Sequence, residues 1–296
     1  MKPGAFGYNR HRFVWIALWC LGMASHCLAQ YQFTTIDDPN AVNGTQANAI
    51  SGGTPTPTPT PTPEAGKYTL LLSATDASEA VPQGTGYATL TVSKKGGAVI
   101  AGKLADGENF SLSGLIVTGS GGDQLAVNKS LRYSSVTPKG TKGLLSGTLT
   151  FVTKTGPCNL YGTLEWTKPP QTEGEYQAAF DTTLDVSGSL YTPPSKGSSV
   201  LPGFTAGTLE LSDTSGFMLS GTTQLTPANK LAITDPQDGL KVTITNSTGI
   251  FKGSFEYPPG KKRKDFTGVL YQDQFNGGGF FLGPAGSGTV SLTPAP

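Results

Sequence analysis

The stretch Lys142–Trp166, KGLLSGTLTFVTKTGPCNLYGTLEW, sets a glycine inside each of two apolar alternations: Leu145, Gly147, Leu149 and Phe151, then Leu160, Gly162, Leu164 and Trp166. Alternate residues of a strand share a face, so each glycine lies in an apolar row while Ser146, Thr148 and Thr150 point the other way. Gly147 and Gly162 are fifteen positions apart, which accommodates two strands and a hairpin turn. The pattern recurs in TGIFKGSFEYPPGKKRKDFTGVLY, Thr248–Tyr271, where Gly253 and Gly268 are again fifteen apart. Looser copies are GGAVIAGKLADGENFSLSGLIV from Gly96 and SGFMLSGTTQL from Ser215. Glycine weakens a strand, yet it permits a tight bend or a large neighbouring side chain lying across the backbone. The repetition predicts an all-β, antiparallel fold of Gly-containing hairpins, curved strongly into a barrel or a two-sheet sandwich. Gly102, Gly147, Gly162, Gly253 and Gly268 are expected on its concave, apolar side.

Working outward, residues 65–296 read as a succession of about fifteen strand-like runs with turn signals between them. They begin with KYTLLLSA and GYATLTVS, pass through LRYSSV and LDVSGSLY, and end with GGFFLG and GTVSLTP. Helical periodicity is absent from them. Proline pairs at 169–170, 193–194 and 258–259 fall where strands must end. A second level of order joins Tyr87–Leu104 to Phe204–Thr223 and Gly143–Trp166 to Gly249–Tyr271. This order predicts an internal duplication with halves 65–170 and 180–296, its seam in the polar stretch KPPQTEGEYQAAFD, Lys168–Asp181.

The N-terminal part differs in composition. Residues 1–29 read as a secretory signal peptide: Lys2, Arg10 and Arg12 precede the run FVWIALWCLGMA, and CLAQ offers a cleavage site after Ala29. That run is too short for a stable transmembrane span, and nothing later approaches the needed length. Residues 54–64 form a Thr-Pro linker that favours an extended polyproline II spacer. Between them, in the segment 30–53, YQFTTIDDPNAVNGTQANAIS resembles the opening of the HAF-type extracellular repeat of bacterial secreted proteins, over about residues 31–52. It departs from that repeat where a second glycine and an IVG strand should follow. A single repeat cannot bury its own apolar face, so an extended tail is expected and no functional residue is carried over.

The large domain carries GYATLTVS, GKLADG, LYGTLEWTKP, GSLYTPP and a closing FTGVLYQ, GGFFLG and GSGTVSLTP in that order. In these marks it resembles a glycine-rich β-domain found near the C-termini of secreted or surface proteins of environmental bacteria, from roughly Gly66 to Pro296. The resemblance implies secretion and modular use, and it supplies no catalytic residue.

Removal of the signal peptide takes away both histidines, His11 and His26, together with Cys20 and Cys27, leaving Cys158 as the one cysteine. Ser-His-Asp, Cys-His and histidine-containing zinc sites are thereby excluded. Cys158, in the turn TKTGPCN, is expected as a solvent-exposed, unreactive thiol with no internal disulfide partner. The 21 basic residues less Lys2, Arg10 and Arg12, against 20 acidic ones, leave a net charge near −2, too balanced to point to nucleic acid. Asn43, Asn128 and Asn246 head glycosylation sequons. Asp235-Pro-Gln-Asp238-Gly has two carboxylates beside a glycine but lacks the alternating oxygen ligands of a calcium loop. The tetrad Lys261-Lys262-Arg263-Lys264 reads as a solvated hairpin tip. No catalytic, cofactor or metal residue is assigned.

Two readings of function remain. Tyr161, Tyr271 and Trp166 are the candidates for stacking on sugar rings; Trp166 shares a row with Leu164 and suits the core better, and the two tyrosines, on the opposite face from the repeat glycines, are the better surface candidates. They support a non-catalytic secreted or cell-surface module with a structural, adhesive or glycan-contact role, its partner an extracellular or cell-surface polysaccharide. The alternative is a carboxylate-dependent glycoside hydrolase drawing on Glu165, Glu173, Glu175, Glu210 or Glu256, which requires two acids flanking one bond.

Overall fold

In the computed structural model, which describes residues 64–119, 121–152, 158–235, 238–258 and 262–295, the apolar alternations become strands whose inward rows are hydrophobic. The signal peptide, the repeat fragment and the linker up to Pro63 lie outside the described residues. Eight strands close the first barrel: β1 (Gly66–Ala74), β2 (Gly86–Val92), β3 (Gly97–Lys103), β4 (Asn109–Gly119), β5 (Gly122–Leu131), β6 (Gly143–Phe151), β7 (Leu160–Lys168) and β8 (Phe180–Leu190). Each pairs antiparallel with the next, and β8 returns to β1. The second sheet contains β9 (Ala206–Ser212), β10 (Met218–Leu225), β11 (Leu231–Ile233), β12 (Lys241–Thr245), β13 (Ile250–Tyr257), β14 (Lys262–Tyr271), β15 (Asn276–Gly283) and β16 (Gly286–Pro294). Its order, β11-β10-β9-β16-β15-β14-β13-β12, makes a nearly closed barrel whose gap lies between β11 and β12.

The glycines occupy the inward rows, each opposite a large side chain. Gly147 faces Leu164 while Leu149 faces Gly162, and Phe251 faces Gly268 while Gly253 faces Phe266. The exchange is reciprocal, so each ring or branched chain lies over the bare backbone of the next strand, which lets the sheet coil tightly without leaving a void. Leu70, Leu90, Ile100, Leu164 and Trp166 fill the first barrel; Phe251, Phe255, Phe266 and Phe281 fill the second, with Phe255 and Phe281 edge to face at 5.1 Å. Outward rows are largely Ser, Thr, Lys and Glu, the inverse of a lipid-facing barrel. Among the described residues no helix is long and apolar enough to cross a membrane.

In neighbour order, β2–β8 of the first sheet run as β9–β15 do in the second. The remaining strand differs in origin. β1, which lies between β2 and β8, precedes its barrel in the chain, whereas β16, which lies between β9 and β15, follows the others. The seam expected at Lys168–Asp181 therefore joins β7 to β8 within one barrel, and the break between the two sheets falls at residues 191–205. The polar composition of 169–179 has another cause: this segment covers one end of the first barrel. Gln171 Nε2 donates to Ser134 O (2.6 Å) and the Thr172 amide to Ser135 O (2.8 Å). LRYSSV, expected as a strand, leaves the ladder after Leu131 and forms the other half of that cover. Cys158 also departs from expectation: it is buried and disulfide-bonded.

Beneath this cover lies a buried polar network. Trp166 Nε1 donates to the Tyr133 hydroxyl (3.0 Å), and the nearby Asp106 carboxylate accepts from the Glu108 amide at Oδ1 (2.9 Å). Lys168, only 2% exposed, donates to Pro169 O (3.1 Å) and sits 5.2 Å from the centre of the Tyr133 ring. Burial pushes the Asp106 carboxyl up, opposed by the Glu108 amide, Tyr133 and the Lys168 charge; burial pushes Lys168 down, opposed by Asp106. Removing one member of such a pair strands the other charge in a dry setting. Lys168→Ala is accordingly expected to lower the unfolding free energy by about 3 kcal/mol, read as a shift of the urea midpoint at unchanged slope. A loss below roughly 0.5 kcal/mol, the range of an ordinary surface substitution, would refute the coupling.

Candidate functional site: the cleft between the barrels

The barrels meet where β1 and β2 pack on β14 and β15. Leu71, Tyr87 and Ala105 from one side and Ile250, Val269 and Phe280 from the other form a shared apolar core. Close approach depends on the outward-facing Gly278, where a Cβ would come within 3.0 Å of Leu71 Cδ2. Thr69 Oγ1 donates to Leu270 O (2.6 Å), and Thr267 Oγ1 donates to the Tyr87 hydroxyl (3.0 Å).

Beyond this joint the surfaces diverge into a cleft of about 800 Å³. Register supplies its walls. In the first barrel Tyr87, Lys103 and Asn109 stand opposite one another on adjacent strands, forming one outward row. In the second, Lys241, Ser254 and Asp265 form one row, and Thr243, Lys252 and Thr267 form the next. Arg263, one outward step from Asp265 along β14, donates from Nη2 to Ser254 Oγ. Lys241, Lys252, Arg263 and Asn109 are exposed, while Lys103 is half-buried. The rim thus carries four cations and, among the described lining residues, a single carboxylate, Asp265. Tyr87 and Phe280 form the floor but are only 8% and 3% exposed, so neither ring offers a face for stacking. What the cleft presents is charge, hydroxyls and one amide.

The sequence-predicted aromatics lie elsewhere. Trp166 is 1% exposed inside the first barrel, because it shares the inward row of Leu164. Tyr271 does point away from the row of Gly268, but that outward face is covered by the first barrel and leaves it 2% exposed. Sugar stacking on Trp166 or Tyr271 is thereby corrected. Tyr161 is half-buried on the outer face of β7, between Thr150 and Ser187. Of the acids, Glu165 accepts from Thr183 Oγ1 (3.1 Å) on the outside of the first barrel, and Glu173 accepts from Ser135 Oγ (3.2 Å) in the cover. Glu175 is exposed in the same cover, and Glu210 and Glu256 lie on outward rows of β9 and β13. None of the five lines the cleft. The basic tetrad is divided: Lys262 is an exposed tip residue, Arg263 enters the cleft, and Lys261 lies outside the described residues. Among the described residues no group of three or more His, Cys, Asp or Glu side chains is placed to hold a metal.

Lys103, Asn109, Lys241 and Lys252 went unmarked in the sequence because a charged or polar residue at an outward strand position is ordinary. Register between strands, unlike periodicity within one, is what gathers them. Fold and cleft together define a two-barrel, antiparallel β protein with a cationic groove at its joint. No protein-family model, curated protein or solved structure matches the chain.

Proposed function

We propose that this chain is a non-catalytic secreted or cell-surface module that contacts an extracellular polysaccharide in the cleft between its barrels. One observation carries the reading: the cleft is an open groove walled by hydrogen-bonding side chains from both barrels, with Asp265 as the one carboxylate among its described lining residues. Glycoside hydrolysis draws on two acids set across the scissile bond, and a lone carboxylate suits holding a polymer better than cutting it. The signal-like N-terminus, the proline spacer and the resemblance to a glycine-rich surface domain support display outside the cell.

The test is a panel of immobilised polysaccharides probed with the full mature chain, alongside a reducing-sugar assay on the same polymers. Retention without sugar release is expected. Asn109→Trp, which fills the groove from an exposed position, should weaken retention about tenfold, roughly 1.4 kcal/mol, while Tyr161→Ala should leave it unchanged. Sugar release by the wild-type protein, or retention indifferent to Asn109→Trp, would overturn the proposal.

A further inference from the structure

The spacing and kind of the groove's charges say more about its ligand. Three cations of the second barrel stand on different rungs of the sheet: Lys252 opposite Thr243 and Thr267, Lys241 opposite Ser254, and Arg263 opposite Glu256. With adjacent strands about 4.8 Å apart and every second residue about 7 Å on, their backbone positions are separated by roughly 8 to 14 Å. Lys103 faces them from the other barrel. A site for one small anion gathers its donors round a point, and here Asp265 occupies the middle of the array, opposite Ser254, where it would repel such an anion. Dispersed cations with hydroxyls and a carboxylate between them fit an extended chain instead. Its negative groups would meet the lysines and Arg263, and its hydroxyls would meet Asp265, Thr243 and Asn109.

Neutral glycans and nucleic acids fit less well. A neutral pyranose gains much of its affinity from an aromatic face, and the two rings in the floor are almost wholly covered. Single-stranded nucleic acid uses exposed aromatic platforms along a continuous basic track, whereas this groove has no exposed ring among its described lining residues and an acid at its centre. We infer that the ligand of the groove is an anionic polysaccharide, bearing carboxylate or sulfate groups along its chain and held by Lys103, Lys241, Lys252 and Arg263.

The inference rests on the polysaccharide reading above, and its test separates the two. The full mature chain is titrated with four polymers: polygalacturonate, dextran sulfate, neutral dextran and single-stranded DNA. Binding to one or both acidic polysaccharides is expected, with the stronger of the two identifying the acidic group, together with weak binding to dextran and DNA. Lys252→Glu, Arg263→Glu and Lys103→Glu should each weaken it about tenfold at low salt, and 0.2 M salt should erode it, because rim charges are screened. Asp265→Asn should strengthen it. Lys94→Glu, a charge reversal on the β2–β3 turn away from the groove, controls for net charge, and thermal midpoints establish that each variant is folded. Equal binding of dextran, unaffected by charge reversal, would sink this inference and leave the polysaccharide reading standing. DNA binding as tight as that of the acidic sugars would reduce the groove to a general polyanion surface and overturn it. Retention of none of the polysaccharides would overturn both.

Discussion

Gly268→Val is expected to abolish folding of the second barrel. A Cβ at this position would collide with the Gly278 carbonyl oxygen and would stand 2.5 Å from Phe251 Cζ and 2.8 Å from Gly279 Cα. Two of those neighbours are backbone of β15, so no rotamer change relieves them, and the Phe251 ring is itself hemmed in by Phe266 at 6.3 Å. Valine adds two further methyl groups to that clash. Ordinary overpacking costs about 1–3 kcal/mol; here the β14–β15 ladder must separate, and a loss above about 5 kcal/mol consumes most of the stability of a typical domain. Soluble yield, near-UV circular dichroism and a urea titration would measure it. Gly121→Ala is the control, since nothing lies within 4 Å of a Cβ there, and it should change stability by no more than about 0.5 kcal/mol. A Gly268→Val protein melting cooperatively within about 1 kcal/mol of wild type would show that the inward glycines are not what allows the sheet to coil.

The same glycines explain why the fold was legible in the sequence. Residues at 102, 147, 162, 253 and 268 lie in inward rows because alternation fixes which side chains share a face, and one glycine in an apolar row marks where a neighbour crosses over. Every strand-like run except LRYSSV coincides with a strand. That run fails because Tyr133 turns inward to bond Trp166 rather than continuing the ladder. β5 is hard to read in the sequence because Asp123, Gln124, Asn128 and Lys129 give it the look of a loop, although Leu125 and Val127 alternate inward. β11, three residues long, is too short to show a period. The barrel boundary lies at residues 191–205 rather than at Lys168–Asp181 for a related reason. A polar segment between strands resembles a domain seam whether it links two barrels or covers the end of one, and only the pairing of β8 with β1 tells them apart. The candidate site was the least legible part. Its cations come from residues 103, 241, 252 and 263 on four strands, and each alone is an unremarkable surface charge. Trp166 and Tyr271 have the size that suits sugar stacking, yet size is also what makes a ring useful in a core or at a joint, where both are buried.

Alkaline pH should unfold this protein cooperatively, at a midpoint above the ordinary titration range of tyrosine. Burial pushes the phenols of Tyr68, Tyr133, Tyr176 and Tyr271 up, and Tyr191 is raised to about 12. Tyr191 donates to Asn246 O (2.6 Å) and Tyr68 to Glu64 O (2.9 Å), bonds that only the protonated hydroxyl makes. In the unfolded chain these groups ionise near pH 10. Between about pH 10 and 12 the native state therefore holds protons that the unfolded chain has released. Since the folded values are raised, stability is complete below pH 10 and falls as pH rises, by about 1.4 kcal/mol per pH unit for each phenol still protonated. Several acting together remove the roughly 5–15 kcal/mol of a typical domain within one or two pH units. Tyrosinate absorbance followed beside far-UV circular dichroism checks this: the bulk of the absorbance should rise in step with loss of sheet signal, near pH 11. Tyr191→Phe, which keeps the ring and removes one titrating group, should flatten the fall in stability above pH 10 while costing about 1 kcal/mol at neutral pH for the lost hydrogen bond. Gradual ionisation centred on pH 10, with the sheet signal intact, would mean that these phenols are open to solvent and that the core and the joint between the barrels are not closed over them.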